Sequence, residues 1–121
     1  MTGTHEAAQS GRPAIGHSTV DGIRVVTLSG EFDHTVREHL GQALLPPSGA
    51  TRPRTVTDLS GVTFMDSSGI NALIGAHTAA EDAGGWLRLA GPREPVARIM
   101  RMVGIDALIP CYPDVRQALE S

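Results

Sequence analysis

The chain has 121 residues, of which 40% are hydrophobic and 19% charged, and its formal net charge is −3 at pH 7. This length fits one compact domain with its own core, and the weak negative charge argues against a protein that binds nucleic acid. The single cysteine excludes an internal disulfide, and no stretch has the profile of a signal peptide or a membrane span. We therefore expect a cytoplasmic protein that binds neither nucleic acid nor membrane.

The N-terminal part of the sequence predicts a tail followed by a hairpin. Residues 1–13 are rich in small and polar types and lack periodicity, which predicts a disordered tail ahead of a domain over residues 14–121. Two strands are predicted over residues 14–20 and 23–29. The Asp21-Gly22 pair between them is typical of a type I′ turn, in which both central residues have positive φ.

A helix and a short strand are predicted next. Asp33 is the expected N-cap of a helix with apolar residues at helical spacing, and Pro46-Pro47 is expected to end it. Residues 54–59 predict a short strand, and the polar Ser60-Gly61 pair indicates a break after it. A second helix is expected to begin at Ser67-Ser68.

The rest of the chain alternates between helix and strand. The second helix is expected to stop at Gly84-Gly85, and residues 86–90 predict a strand. A further helix follows Gly91-Pro92 and closes at Gly104, and the short apolar piece Leu108-Ile109 predicts a last strand before a final helical turn or two. This alternation predicts an α/β fold with a mixed, mostly parallel sheet of four or five strands and about four helices.

Ser67 and Ser68 lie where a strand gives way to a helix. In open α/β sheets ligand chemistry gathers beyond the carboxyl ends of strands, where helix N-termini point free N–H groups outward. One serine can cap the helix, which contributes about 1 kcal/mol, but this leaves the second hydroxyl, next to Gly69, unexplained. A phosphoserine here would be stabilised by the helix dipole and by unpaired N–H groups, so phosphorylation fits the position best.

Two other classes of protein fit the sequence less well. A serine hydrolase would use His34, His39 or His77 as a base, but the residues around Ser68 lack the first glycine of Gly-x-Ser-x-Gly. His77 is expected in the core, and His34 and His39 on the surface. A receiver domain phosphorylated at Asp58 would need a lysine, and the chain has none. Metal-ligand spacing is absent as well, so no metal site is expected.

Three stretches resemble the anti-sigma factor antagonists with the STAS fold. They are Gly30-Glu31-Phe32-Asp33, the run Asp58-Leu59-Ser60-Gly61-Val62-Thr63-Phe64-Met65-Asp66-Ser67-Ser68-Gly69, and Gly91-Pro92 ahead of a helix that ends at Val103-Gly104-Ile105. The resemblance spans roughly residues 16–119 and implies a STAS domain over residues 14–121. It implies a regulator without a cofactor of its own rather than an enzyme.

The resemblance implies a partner-switching protein. Its unphosphorylated form would bind an anti-sigma factor that is also a serine kinase, and would thereby free a sigma factor. Phosphorylation of Ser68 by that kinase would end binding, and a serine phosphatase would restore it, while ATP and magnesium would belong to the kinase. Ser67 would be a helix cap or its neighbour, Asp33 and Asp66 would border the docking surface, and Gly69 would leave room for the kinase.

The protein would be a monomer or weak dimer when alone. The alternative is a constitutive STAS scaffold subunit of a stress-signalling assembly. The sequence departs from the family pattern at Thr57, where an apolar residue is usual, and at Asn71, where glycine is frequent. Neither residue is the phosphate acceptor.

Overall fold

In the described part of the chain, five strands form one sheet, in the order in which they occur in the sequence. The computed structural model describes residues 11–121. The strands are β1 (Ala14–Val20), β2 (Ile23–Phe32), β3 (Arg54–Met65), β4 (Trp86–Ala90) and β5 (Cys111–Tyr112). β1 and β2 are antiparallel, whereas β2 to β5 are parallel to one another. The predicted α/β fold with a mixed, mostly parallel sheet is therefore confirmed.

Helices connect the parallel strands, because a parallel pair needs a crossover rather than a tight turn. The described residues contain a 3-10 turn (His34–Val36) and the helices α1 (Arg37–Leu44), α2 (Ser67–Asp82), α3 (Glu94–Val103), α4 (Ile105–Leu108) and α5 (Val115–Glu120). The hairpin between β1 and β2 turns at Asp21 and Gly22, with φ of 51° and 79°. The positive φ values confirm the predicted turn chemistry.

Two strand predictions were wrong, and β2 also continues past its predicted end at residue 29 to Phe32. β3 does not end at Leu59 but continues through Ser60-Gly61 to Met65, and its register against β2 shifts at two places. Such bulges absorb extra residues without ending the strand, so a polar pair inside β3 is compatible with pairing. The other error is Leu108-Ile109: Leu108 ends α4 and Ile109 is buried, while β5 is the pair Cys111–Tyr112 that follows Pro110.

The core is mostly aliphatic and lies mainly on one face of the sheet. α1 to α4 pack there, and buried residues of this cluster include Phe32, Leu40, Leu59, Met65, Leu73, Met100 and Ile105. α5 covers part of the opposite face, where Ala118 packs with Ile23, Val56 and Ala90. Thr57, flagged as a departure from the family pattern, is fully buried, and its hydroxyl has no hydrogen-bond partner in the part of the chain described.

β3 extends beyond its neighbour β4 at the carboxyl edge of the sheet. The pairing with β4 ends at Asp58, whereas the pairing with β2 continues to the contact between Phe32 and Met65. The last part of β3 therefore forms a two-stranded ribbon with β2. The residues that follow Phe32 and Met65 emerge at the end of this ribbon.

The N-terminal residues that the structure describes contact this ribbon. The carbonyl of Gly11 accepts a hydrogen bond from the amide of Glu31 at 3.1 Å, so contacts begin before the predicted domain boundary at residue 14. Residues 1–10 lie outside the described part of the chain, and the prediction of a disordered tail remains a prediction for them. Among residues 11–121 we find no helix with the length and apolarity to cross a membrane.

Arg24 joins the sheet to the end of α1. Its guanidinium donates hydrogen bonds to the carbonyl oxygens of Ala43 at 3.2 Å and Leu44 at 2.8 Å. Carbonyl groups in the last turn of a helix lack helical partners and carry partial negative charge, so a cation is stabilising there. Partial burial lowers the pKa of Arg24 from its usual value.

We expect Arg24→Met to lower the free energy of unfolding by about 1–3 kcal/mol, because charge-assisted hydrogen bonds to the helix end are lost. Urea unfolding followed by circular dichroism measures this change. Arg54→Met is the matched control: its exposed guanidinium donates one hydrogen bond, to the Asp21 carbonyl at 3.3 Å, so we expect a loss below about 0.5 kcal/mol. Equal losses in the two variants would contradict this role for Arg24.

Candidate functional site

Two aspartates follow the last paired residues of neighbouring parallel strands. Phe32 of β2 pairs with Met65 of β3, so Asp33 and Asp66 come next on adjacent strands. The amide of Asp66 donates a hydrogen bond to the Phe32 carbonyl at 3.3 Å, which joins the two strand ends. Both aspartates have extended backbone, with φ of −106° and −98°. The fold thus brings together two predicted site residues that are distant in sequence.

Asp66 caps α2. Its Oδ1 accepts hydrogen bonds from the amides of Ser68 at 2.9 Å and Gly69 at 3.4 Å, and its extended backbone is the conformation that an N-cap requires. Ser67 is the first helical residue and is exposed, and Ser68 is the second and is half-buried. Of the two roles predicted for Ser67, cap or neighbour, the structure assigns the second. The interpretation in which a serine caps α2 was wrong.

The cap also changes the prediction for a phosphate at this helix end. The sequence predicted unpaired N–H groups around Ser68, ready for a phosphoserine. In the structure the amides of Ser68 and Gly69 already donate to Asp66, and the Asp66 amide donates to Phe32. The prediction was wrong for these three amides, because the Asp66 carboxylate accepts from two of them and the Phe32 carbonyl accepts from the third.

Gly69 is buried, and its lack of a side chain makes space in the core. A Cβ atom at this position would lie 2.4 Å from Cγ and 3.0 Å from Sδ of Met65. Met65 is fully buried, so its side chain has little room to move away. The sequence suggested that Gly69 leaves room for a kinase, whereas the structure shows room for Met65. A contact between Gly69 and a partner remains a prediction.

Asp33 caps the 3-10 turn that leads into α1, as the sequence predicted. Its Oδ1 accepts hydrogen bonds from the amide of Thr35 at 2.9 Å and from the Thr35 hydroxyl. These two hydrogen bonds, the hydroxyl first, lower the pKa of Asp33 below its ordinary value of 3.8. Sequence reasoning missed Thr35, although the Asp-x-Thr spacing at residue 33 repeats the Asp-x-Ser spacing at residue 66 and gives a usable signal.

Three histidines were the predicted candidates for a base near Ser68. His34 and His39 are exposed and His77 is buried at 6% exposure, as predicted. The Nε2 atom of His77 lies 3.6 Å from Glu81 Oε1 on the same helix. Within residues 11–121 no histidine is hydrogen-bonded to the Ser68 hydroxyl, and no group of three or more His, Cys, Asp or Glu side chains is placed to hold a metal ion. The hydrolase alternative therefore has no hydrogen-bonded serine–histidine pair to support it within residues 11–121.

A pair of substitutions in α2 tests the packing of Gly69. We expect Gly69→Ala to lower the free energy of unfolding by about 1–3 kcal/mol, because the added methyl group overlaps with buried Met65. Gly75→Ala is the control in the same helix. Apart from its chain neighbours and the backbone of its own helix, no atom lies within 4 Å of a Cβ there, so this change should raise stability by about 0.5–1 kcal/mol. A stabilised Gly69→Ala protein in denaturant unfolding would refute this packing.

The ionisation of Asp33 provides a second test. We expect Thr35→Val to raise the pKa of Asp33 toward 3.8, because the hydroxyl hydrogen bond is lost, while Thr35→Ser should keep it low. Carboxyl ¹³C chemical shifts measured against pH report this pKa. Since folding lowers the pKa, the contribution of Asp33 to stability is fully present above about pH 4 and is lost as the pH falls through the folded-state pKa. An unchanged pKa in Thr35→Val would contradict this assignment.

Comparison with known proteins identifies the family to which this chain is related. A family model for the STAS domain matches residues 16–118. The anti-sigma F factor antagonist of Paenibacillus polymyxa is 30% identical over 102 residues, which cover 81% of this chain and 85% of that protein.

Solved structures share the fold. An anti-sigma factor antagonist from Mycobacterium paratuberculosis has a TM-score of 0.76 and 29% identity, covering 89% of this chain and 92% of its own. The phosphorylated form of the Bacillus cell fate determinant SpoIIAA has a TM-score of 0.63 and 22% identity, covering 88% and 97%. With the family model and the Paenibacillus relative both matching most of its length, this chain belongs to the STAS domain family of anti-sigma factor antagonists.

Proposed function

We propose that this protein is an anti-sigma factor antagonist that is switched off by phosphorylation of Ser68. In its unphosphorylated form it binds an anti-sigma factor that is also a serine kinase, and a sigma factor is released. The observation that carries the proposal is the position of Ser68. Its half-buried side chain lies in the first turn of α2, at the sheet edge where Asp33 and Asp66 come together.

The partner kinase supplies the phosphoryl-transfer chemistry. The Ser68 hydroxyl oxygen attacks the γ-phosphorus of ATP, and the bond from that phosphorus to the β–γ bridging oxygen breaks. ADP leaves, and the hydroxyl proton passes to a base of the kinase. ATP and magnesium are bound by the kinase, so this chain needs no cofactor. A serine phosphatase transfers the phosphoryl group to water and regenerates the hydroxyl.

The added charge explains why phosphorylation would end binding. A phosphoserine carries a charge of about −1.5 to −2 at neutral pH, and it would join the carboxylates of Asp33 and Asp66 at one edge of the sheet. Docking would remove these charges from water, and an unpaired charge in an interface typically costs about 2–5 kcal/mol. The phosphorylated form of SpoIIAA, which has the same fold, supports the expectation that such a domain stays folded with its phosphate.

The docking surface is proposed around Ser68. Asp33 and Asp66 border it, exposed Ser67 is next to the acceptor, and Gly69 lies beneath. We place the protein in the cytoplasm with its partners, as a monomer or weak dimer.

The function is tested with the kinase and three variants. We incubate the protein with candidate anti-sigma factor kinases and Mg-ATP, and locate the phosphate by mass spectrometry. Ser68→Ala should bind the kinase but stay unmodified, and Ser68→Asp should bind about thirtyfold or more weakly. Ser67→Ala is the matched control, because it changes the neighbouring serine and should still be phosphorylated at Ser68. Phosphate at another residue, or equal affinity of Ser68→Ala and Ser68→Asp, would count against the proposal.

A further inference from the structure

Two of the amides that could neutralise a phosphate on Ser68 already donate to another anion. Helix N-termini bind phosphate through backbone N–H groups and the helix dipole. In α2 the amides of Ser68 and Gly69 donate instead to Asp66, at 2.9 Å and 3.4 Å. Asp66 is itself fixed in place, because its amide donates to the carbonyl of Phe32 in β2.

We propose that Asp66 is a positioning residue that keeps the phosphate of phosphorylated Ser68 off the N-terminus of its own helix, so that the phosphate presents its full charge to the partner. The inference rests on the proposed phosphorylation of Ser68. A phosphate could reach the two amides only by displacing a carboxylate, and both groups are negative. The carboxylate of Asp66 repels the phosphate, and the two amides are already occupied. The phosphate is therefore directed outward, toward the docking surface.

Without this carboxylate the same phosphate would cap α2. The helix end would then stabilise the dianion, and the second pKa of the phosphate would fall. A phosphate bound to its own helix would also present less charge to a partner, so phosphorylation would weaken binding less. Asp66 thus determines whether the phosphate binds to its own helix or is exposed to the partner.

Another aspartate in the chain provides a matched control. Asp114 caps α5 through a hydrogen bond from the amide of Gln117 at 2.8 Å. It has the same capping role as Asp66, but α5 packs on the opposite face of the sheet. Removing it costs a helix cap without changing the surroundings of Ser68.

The test uses full-length protein with phosphoserine incorporated at position 68 during synthesis, so no kinase is needed. We measure the second pKa of the phosphate by ³¹P NMR, and the amide shifts of Ser68 and Gly69 over the same pH range. In the otherwise unchanged chain we expect this pKa at or above about 6. Asp66→Ala should lower this pKa by about half a unit. Only in this variant should the chemical shifts of both amides change with pH in step with the ionisation of the phosphate. Asp114→Ala should leave the pKa unchanged.

Asp66→Asn separates the two effects of the carboxylate. It removes the charge but retains an oxygen that can accept from the amides, so the pKa should lie between those of the unchanged chain and Asp66→Ala. It also keeps the test decisive if Asp66→Ala does not fold. The proposal is overturned if the chemical shifts of the Ser68 and Gly69 amides change with phosphate ionisation while Asp66 is present. It is also overturned if Asp66→Ala and Asp66→Asn leave the pKa of the phosphate unchanged. Equal pKa values in Asp66→Asn and Asp66→Ala overturn the part that concerns the amides.

Binding to the anti-sigma factor kinase separates this inference from the proposed function. Phosphoserine at position 68 should weaken binding about thirtyfold or more in the unchanged chain and several-fold less in Asp66→Ala. If the phosphate does not weaken binding in the unchanged chain, the proposed function fails while the NMR result still decides how the phosphate is held. An equal loss in both proteins overturns the positioning role alone.

Discussion

The pairing of β2 with β3 at the contact between Phe32 and Met65 is the constraint on which the site depends. It sets Asp33 and Asp66 side by side, although they are far apart in sequence. The two register shifts in β3 matter here, because the extra residues carry the strand past the end of β4 to this contact. A strand that ended at Leu59 would leave the two aspartates without this common edge.

Each residue of the Asp-Ser-Ser-Gly string has a different physical role. Asp66 binds the amides of the first helical turn, Ser67 is exposed, Ser68 is half-buried, and Gly69 packs against Met65. The motif therefore extends from the surface at Ser67 into the core at Gly69. The cap by Asp66 and the packing of Gly69 against Met65 both help to fix where α2 begins.

In the part of the chain described, the hydrogen-bonding groups at this site include backbone amides, aspartate carboxylates and the Thr35 hydroxyl. Asp66 accepts hydrogen bonds from the amides of Ser68 and Gly69. A phosphate added to Ser68 at such a site would place its charge at the protein surface. This arrangement supports the proposed regulated binding surface, in which a phosphate on Ser68 would compete with Asp66 for the same amides.

The sequence by itself determined the α/β class, the hairpin at Asp21-Gly22 and the position of the serines at a strand-to-helix junction, because these depend on local periodicity and turn chemistry. It did not determine where β3 ends, since bulged pairing depends on β2. Only the tertiary structure decided that Asp66 rather than a serine caps α2 and that Gly69 accommodates Met65. Those choices depend on which atoms meet in space, and a linear pattern of residue types does not record such distances.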